Sequence, residues 1–242
     1  MQVDLEDLAA GYAHRPPSAA ALARARRAAR EAGLGAADVA LDIGGGRGLH
    51  AAEWLKWGAH PVVVDPARGM AEVASRQPGV SVICGSSQQL PLKDDTARLA
   101  YFHLSLHYGD WRAALDETGR VLGSGGECWI WTMGEEHHRS SMLAQWFPSV
   151  GDIDAARFPD PGRVAAYLRL QADRVTSGKE VERKRMPAGR WRSAVVARFV
   201  STLQLIPEEE LIAGIAEFDR KYPDPEAEIE YLLTFDWIRS IF

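Results

Sequence analysis

The chain has 242 residues, 46% of them hydrophobic and 25% charged, with 22 Gly, 13 Pro and 2 Cys. A length of this order fits one domain with elaborations and buries about 70–75% of the unfolded surface, so folding requires neither disulfides nor a structural metal. The composition excludes disordered, collagen-like and coiled-coil chains. The net charge of −5 gives no whole-molecule field for gripping nucleic acid or an anionic membrane.

The N-terminal run Met1-Gln2-Val3-Asp4-Leu5-Glu6-Asp7 is acidic where a signal peptide would be basic. No apolar stretch approaches the roughly 18 residues of a membrane span. Cys84 and Cys128 each lie in an apolar, strand-like run and read as small core residues of a reducing compartment. The expectation is a soluble cytoplasmic protein.

Pro16-Pro17-Ser18 opens an Ala-, Leu- and Arg-rich helix that closes near Gly33, with Ser18 as N-cap. Arg24, Arg26, Arg27 and Arg30 read as its solvated face. Val39–Ile43 is a short β-prone run that ends in Gly44-Gly45-Gly46-Arg47-Gly48, and a helix follows from about Leu49 to Lys56. Pro61–Asp65 is the second strand, with its helix from Ala67 to Arg76. Val80–Cys84, Leu99–Phe102 and Glu127–Trp131 are further strands, and Trp111–Leu122 is a helix. Apolar strands alternating with helices over short connections predict a parallel sheet covered on both faces. Ligands of such sheets bind beyond the carboxyl ends of the strands.

From Ser140 to Asp173 the alternation breaks, and the stretch reads as an insertion containing a helix opened by Asp160-Pro161. Thr176–Met186 is then a strand, Arg190–Leu205 a helix, Pro207 the start of another, and Glu228–Ile238 the last strand. The predicted architecture is α/β: a Rossmann-like, doubly wound, mostly parallel seven-stranded sheet with a helical cap. A single domain over 1–242 has its core at about 34–139 and 174–242 and its cap at about 1–33 and 140–205.

A glycine-rich loop between a strand and a helix lets a ligand approach the backbone. Here the spacing is Gly44-x-Gly46-x-Gly48, not G-x-G-x-x-G, and Asp42 stands two residues before the first glycine. A pyrophosphate about 4 Å from Asp42 would be repelled by roughly 4 kcal/mol at an effective dielectric near 20. A ligand bearing an ammonium and a sulfonium would be attracted instead. Asp65 ends the second strand, where the ribose-binding acid of nucleotide-binding α/β folds belongs. A purely conformational role for the glycines, and a helix-capping role for Asp65, are the alternatives.

The series Ala40-Leu41-Asp42-Ile43-Gly44-Gly45-Gly46-Arg47-Gly48, Val62-Val63-Val64-Asp65-Pro66, Gly85-Ser86-Ser87-Gln88-Gln89-Leu90-Pro91-Leu92 and Arg120-Val121-Leu122-Gly123-Ser124-Gly125-Gly126 resembles the class I S-adenosylmethionine-dependent methyltransferases. It covers roughly Leu34 to Thr132. Tyr12 and Arg15-Pro16 resemble the entry segment of the small-molecule, UbiE and trans-aconitate methyltransferase-like branch. The resemblance implies S-adenosyl-L-methionine as cofactor, with Tyr12 at the entry and Asp42, Gly44, Gly45, Gly46 and Gly48 on the methionine half. It implies Asp65 on the ribose, Pro66 and Met70 near the adenine, Ser86, Ser87 and Gln88 at the adenine edge, and Phe102-His103 below the sulfur. Ser86 replaces an Asp common in the family, and Arg98 and Ala100 fall where Phe-Asp-Leu-Val is common.

Methyl transfer needs position, a dry cavity and, for some nucleophiles, a base. His103 and His107, both beyond the fourth strand, are the candidates. Glu135-Glu136-His137-His138 makes a poor chelate because adjacent side chains point apart, and reads as a solvated loop; no metal is expected. Asp94-Asp95 reads as a turn. Trp146, Phe147, Phe158, Tyr167, Trp191 and Phe199 read as core more than as a substrate cage. The basic run Arg183, Lys184, Arg185, Arg190 and Arg192 reads as solvated, with an acidic substrate group as its other use. The expected partner is a small-molecule methyl acceptor, not nucleic acid or a membrane. A non-catalytic binding protein for the same cofactor, and an NAD(P)-dependent oxidoreductase, are the competing readings.

Overall fold

The computed structural model describes residues 3–6 and 18–242. Its centre is one seven-stranded sheet: β1 (Val39–Ile43), β2 (His60–Asp65), β3 (Ser81–Cys84), β4 (Leu99–His103), β5 (Glu127–Thr132), β6 (Arg174–Pro187) and β7 (Glu228–Ile241). The order is β3-β2-β1-β4-β5-β7-β6. β1 to β5 pair in parallel and β7 runs antiparallel to β5, as the expected mostly parallel arrangement requires. The chain winds outward from β1 to β3 and then restarts at β4 on the other side of β1. The order therefore reverses between β1 and β4, where a doubly wound sheet opens a crevice beyond its strand ends.

The helices are α1 (Ala19–Glu31), α2 (Leu49–Trp54), α3 (Arg68–Ala74), α4 (Trp111–Leu122), α5 (Glu135–Ser140), α6 (Met142–Trp146), α7 (Ser149–Arg157), α8 (Pro161–Leu168), α9 (Ala188–Val196) and α10 (Glu208–Lys221). α4 begins at Asp110, whose carboxylate accepts from the N–H groups of Arg112 and Ala113. Ser18 holds the N-cap position of α1, but its side chain makes no capping hydrogen bond to the helix, so its sequence signal overstated its capping role.

Two compact units divide the chain. One runs from α1 through Thr132 and adds Pro159–Gly178 and Asp236–Phe242. Its core joins Leu41, Ile43, Ala100, Phe102, Leu115 and Ile130 to Val164 and Leu168 of α8. Residues 159–178 belong to this unit. On the other sheet face, buried Ala25, Ala28 and Ala29 let α1 lie close, and Trp54 of α2 donates its indole N–H to the Ala25 carbonyl at 3.0 Å.

The second unit holds Met133–Phe158 and Lys179–Phe235. Trp146, Phe147, Val150, Trp191, Leu203 and Phe218 form its core, with the Trp191 and Phe218 rings stacked at 4.4 Å. The predicted insertion aromatics are therefore mainly core. Four of the five residues of its basic run are paired, Arg183 and Arg185 sharing Glu230, Lys184 with Glu182 and Arg192 with Asp219, while Arg190 is exposed.

Three further expectations are corrected. Arg24 is 3% exposed and not solvated, while Arg26 pairs with Glu53 and Arg27 lies over the Trp129 and Trp237 rings. Cys84 is exposed because β3 is a sheet edge; Cys128 on central β5 is buried as expected. Glu135-Glu136-His137-His138 is a helix, not a loop, and both histidines are buried. Among the described residues no helix is long and apolar enough to cross a membrane, and no three His, Cys, Asp or Glu side chains gather as a metal site.

Candidate functional site

The crevice-forming loops follow β1, β2 and β4, and hydrogen bonds tie them together. Gly44 donates to the Val64 carbonyl at 2.7 Å, and Ser105 donates its hydroxyl to the Ile43 carbonyl at 2.6 Å. Between His103 and Ser105 the chain turns through Leu104 at φ +56, a left-handed conformation that costs a bulky residue about 1–3 kcal/mol.

Both aspartates face this one loop. Asp42 is 1% exposed, and neither carboxylate oxygen has a hydrogen-bond partner among the described residues. It lies directly under Gly45, where a Cβ would stand 2.4 Å from the Asp42 Cγ. Asp65 accepts from the Gly46 N–H and the Ala67 N–H, each at 2.9 Å. It therefore both holds the glycine loop and caps the entry to α3. An ionised carboxylate has about four acceptor positions, so these two bonds do not exhaust it.

Met70 is buried, its sulfur 3.7 Å from where a Gly46 Cβ would lie, while Pro66 is exposed on the rim. The hydroxyl of Ser86 accepts from the Gln88 N–H at 3.1 Å, fixing the loop after β3. Gln88 lies against Gly109, where a Cβ would meet its Nε2 at 2.0 Å. Ser87 is half-buried beside it.

β4 splits its residues between the sheet faces with period two. Phe102 is fully buried in the core that contains Leu41 and Ile43. Tyr101, in register with Asp42, and His103 two residues on point to the α1 side. Phe102 and His103 thus face opposite sides of the sheet, and only His103 joins the polar group. His107 sits in the 3₁₀ turn Leu106–Tyr108, its ring 4.0 Å from that of Tyr108. Tyr12 lies outside the described residues.

The residues that sequence reasoning missed are on α1 and α2. His50 Nδ1 lies 3.7 Å from Asp42 Oδ2, and its ring is 4.8 Å from His103 and 5.5 Å from Tyr101. Arg24 Nη1 is 3.5 Å from His103 Nε2, with its guanidinium 5.1 Å from the Trp131 ring centre. The available signal was helical spacing: Arg24 falls beside the buried alanines of α1, and His50 opens the helix that the glycine loop feeds. Arg98, a departure from the pattern of the family that the sequence resembles, has a structural task. It donates to the Ala32 carbonyl from Nε and Nη2 at 3.0 and 2.8 Å, and to the Gly125 carbonyl from Nη1.

Residues 41–130 match the family model described as "Methyltransferase domain". The chain is 31% identical over 100 residues to the biotin biosynthesis bifunctional protein BioHC of Cellvibrio japonicus (strain Ueda107). That match covers 39% of this chain and spans only 19% of the length of the relative. A structure assigned to the methyltransferases of an antibiotic biosynthesis pathway in Anabaena variabilis ATCC 29413 superposes with a TM-score of 0.70 at 18% identity, over 91% of this chain and 97% of that one. Geranyl diphosphate C-methyltransferase of Streptomyces coelicolor A3(2), solved with Mg2+, geranyl diphosphate and S-adenosyl-L-homocysteine, gives 0.56 at 15% identity over 90% and 78% of the two chains. The family model falls on the strands and loops that build the Asp42–Asp65 cradle.

Proposed function

We propose that the protein transfers the methyl group of S-adenosyl-L-methionine to a small-molecule acceptor, in a reducing, cytoplasmic setting that keeps Cys84 and Cys128 as free thiols. The observation that carries this reading is the Asp42 carboxylate, buried beneath the glycine loop without a hydrogen-bond donor among the described residues. A buried carboxylate that accepts no hydrogen bond is costly and calls for a cation. A phosphate-bearing dinucleotide in the same loop would aggravate that cost, so the residues fit the methyl donor and not NAD(P).

When bound, the cofactor supplies a methyl electrophile on a sulfonium. Asp42 with Gly44, Gly45, Gly46 and Gly48 would hold the methionine half, and Asp65 the ribose hydroxyls. Pro66 and Met70 would lie near the adenine, with Ser86, Ser87 and Gln88 at its edge. His103 would take a proton from the acceptor. Arg24 can only donate, so in a neutral His103 ring Nε2 is the acceptor and Nδ1 carries the proton; Nε2 would take the acceptor's proton by exchanging its 3.5 Å contact with Arg24 for one with the acceptor. His107 is the second candidate base.

S-adenosylhomocysteine at 100 times its dissociation constant is expected to add about 2.7 kcal/mol of stability, a melting shift of roughly 5–10 °C. A shift with NAD and none with this compound would overturn the assignment. His103→Ala is expected to slow transfer well beyond any loss of donor affinity; equal losses would reduce His103 to a contact.

A further inference from the structure

The Asp42 carboxylate raises a question that the donor alone does not answer: what balances its charge before a donor arrives. Its oxygens are shielded from water, with the residue 1% exposed, and no described residue donates a hydrogen bond to either. Around it the charged and titratable groups are already placed. On β2, Asp65 is held by the backbone of Gly46 and Ala67. On α2, Glu53 is engaged by Arg26 and Lys56. On β4 stand Tyr101 and His103, and on α1 Arg24, whose guanidinium lies at His103. Among the described residues, the group capable of positive charge within 4 Å of Asp42 is His50, with Nδ1 3.7 Å from Oδ2.

That distance is within ion-pair range for a protonated imidazole and too long for a hydrogen bond, so it is a yielding contact. The imidazole is half-buried, 17% exposed, with its ring edge on Tyr101 and its flank on His103. It has a route to surrender a proton to solvent, which the carboxylate beneath Gly45 lacks.

We propose that His50 is an exchangeable counter-ion of Asp42, carrying a proton while the cradle is free and losing it when the positive charge of the methyl donor takes over the carboxylate. This rests on the methyltransferase reading above. Two cations cannot share one dehydrated carboxylate without repelling each other, and the histidine is the one that can become neutral. The arriving donor brings a fixed charge, whereas the imidazolium does not. Donor binding and proton release are then linked, and in the limit of one proton released the affinity rises tenfold per pH unit. His50 acts on the donor only through Asp42, so it is a positioning residue and not a catalytic one.

The test is isothermal titration calorimetry of S-adenosylmethionine into the intact protein between pH 5.5 and 7.5, in cacodylate and in Bis-Tris, which both buffer over this range and differ in ionisation enthalpy. The difference between the two buffers counts the protons released. The wild type is expected to release a substantial fraction of one proton at the acidic end, with affinity rising severalfold across the range. His50→Gln, checked for an unchanged melting temperature at pH 7.5, is expected to release none and to show a flat affinity. His103→Gln is expected to keep the release. Binding without proton exchange in the wild type, or the same exchange in His50→Gln, overturns the counter-ion role and leaves the methyltransferase reading standing. No binding at any pH overturns that reading, and this inference with it.

Discussion

Gly45 is constrained by what lies beneath it and not by its backbone angles. A Cβ there would stand 2.4 Å from the Asp42 Cγ and 2.5 Å from its Oδ2. Gly46 is the converse: its φ is +55, but an added Cβ meets nothing nearer than the Met70 sulfur at 3.7 Å. The two alanine variants therefore separate charge placement from backbone strain. Gly45→Ala is expected to push the carboxylate aside and weaken donor binding at least tenfold, about 1.4 kcal/mol or more. Gly46→Ala is expected to cost about 1–2 kcal/mol of folding stability through the left-handed backbone, with the smaller effect on affinity. Parallel thermal melts and donor titrations would read both, and equal affinities would mean that Asp42 lies outside the donor's reach.

At the scale of elements, Arg98 explains how α1 is fixed to the sheet. Ala32 caps the C-terminus of α1, and Gly125 lies in the turn before β5; one guanidinium bridges their carbonyls. Arg98→Met keeps the stem and removes the fork, and is expected to destabilise by about 2–3 kcal/mol in urea unfolding. Arg98→Lys should recover little of this, because an ammonium cannot serve the fork geometry. Full recovery by Lys would mean that charge, and not the fork, holds α1.

The same scale shows what a sequence can reveal. β1 at Val39–Ile43 and α4 at Trp111–Leu122 were legible to the residue, since glycines bound the first and Asp110 and Gly123 the second. The cradle was legible for the same reason: strand, glycine loop and terminal acid are local in the chain. His50 and Arg24 were not, because their meaning lies in cross-element neighbours on β1 and β4. Edge position is equally non-local, and it left the apolar run ending in Cys84 looking like core. Adjacency was an argument about how the His137-His138 side chains diverge, and it could not show that a helix buries both rings.

Those two rings bear on how the folded molecule responds to acid. His137 and His138 are 6% and 3% exposed, and burial is the main cause that brings each down to about 4, with the neighbouring imidazole adding to the effect on His137. His137 Nδ1 accepts from the Thr234 N–H at 3.2 Å, a bond that a neutral ring makes. In the unfolded chain a histidine titrates near 6.5, so protons are taken up there first as pH falls. Above about pH 7 both states are neutral at these sites and the pair costs nothing. Between about 6.5 and 4 the unfolded state binds protons that the native state refuses, and stability falls with pH. Asp154, raised by burial, has the opposite sign: its native form accepts a proton at higher pH than the unfolded chain does, which returns some stability toward the acidic end. Two groups oppose one, so a net loss is expected, about 2 kcal/mol per histidine by pH 5 before that offset. For a chain of this size the melting temperature should drop by several degrees between pH 7 and 5. The double variant His137→Gln, His138→Leu keeps an acceptor for Thr234 and removes both titrations, so its melting temperature should fall markedly less over the same interval. If wild type and variant lose stability in parallel, the acid sensitivity lies elsewhere in the molecule and the two histidines are protonated without penalty.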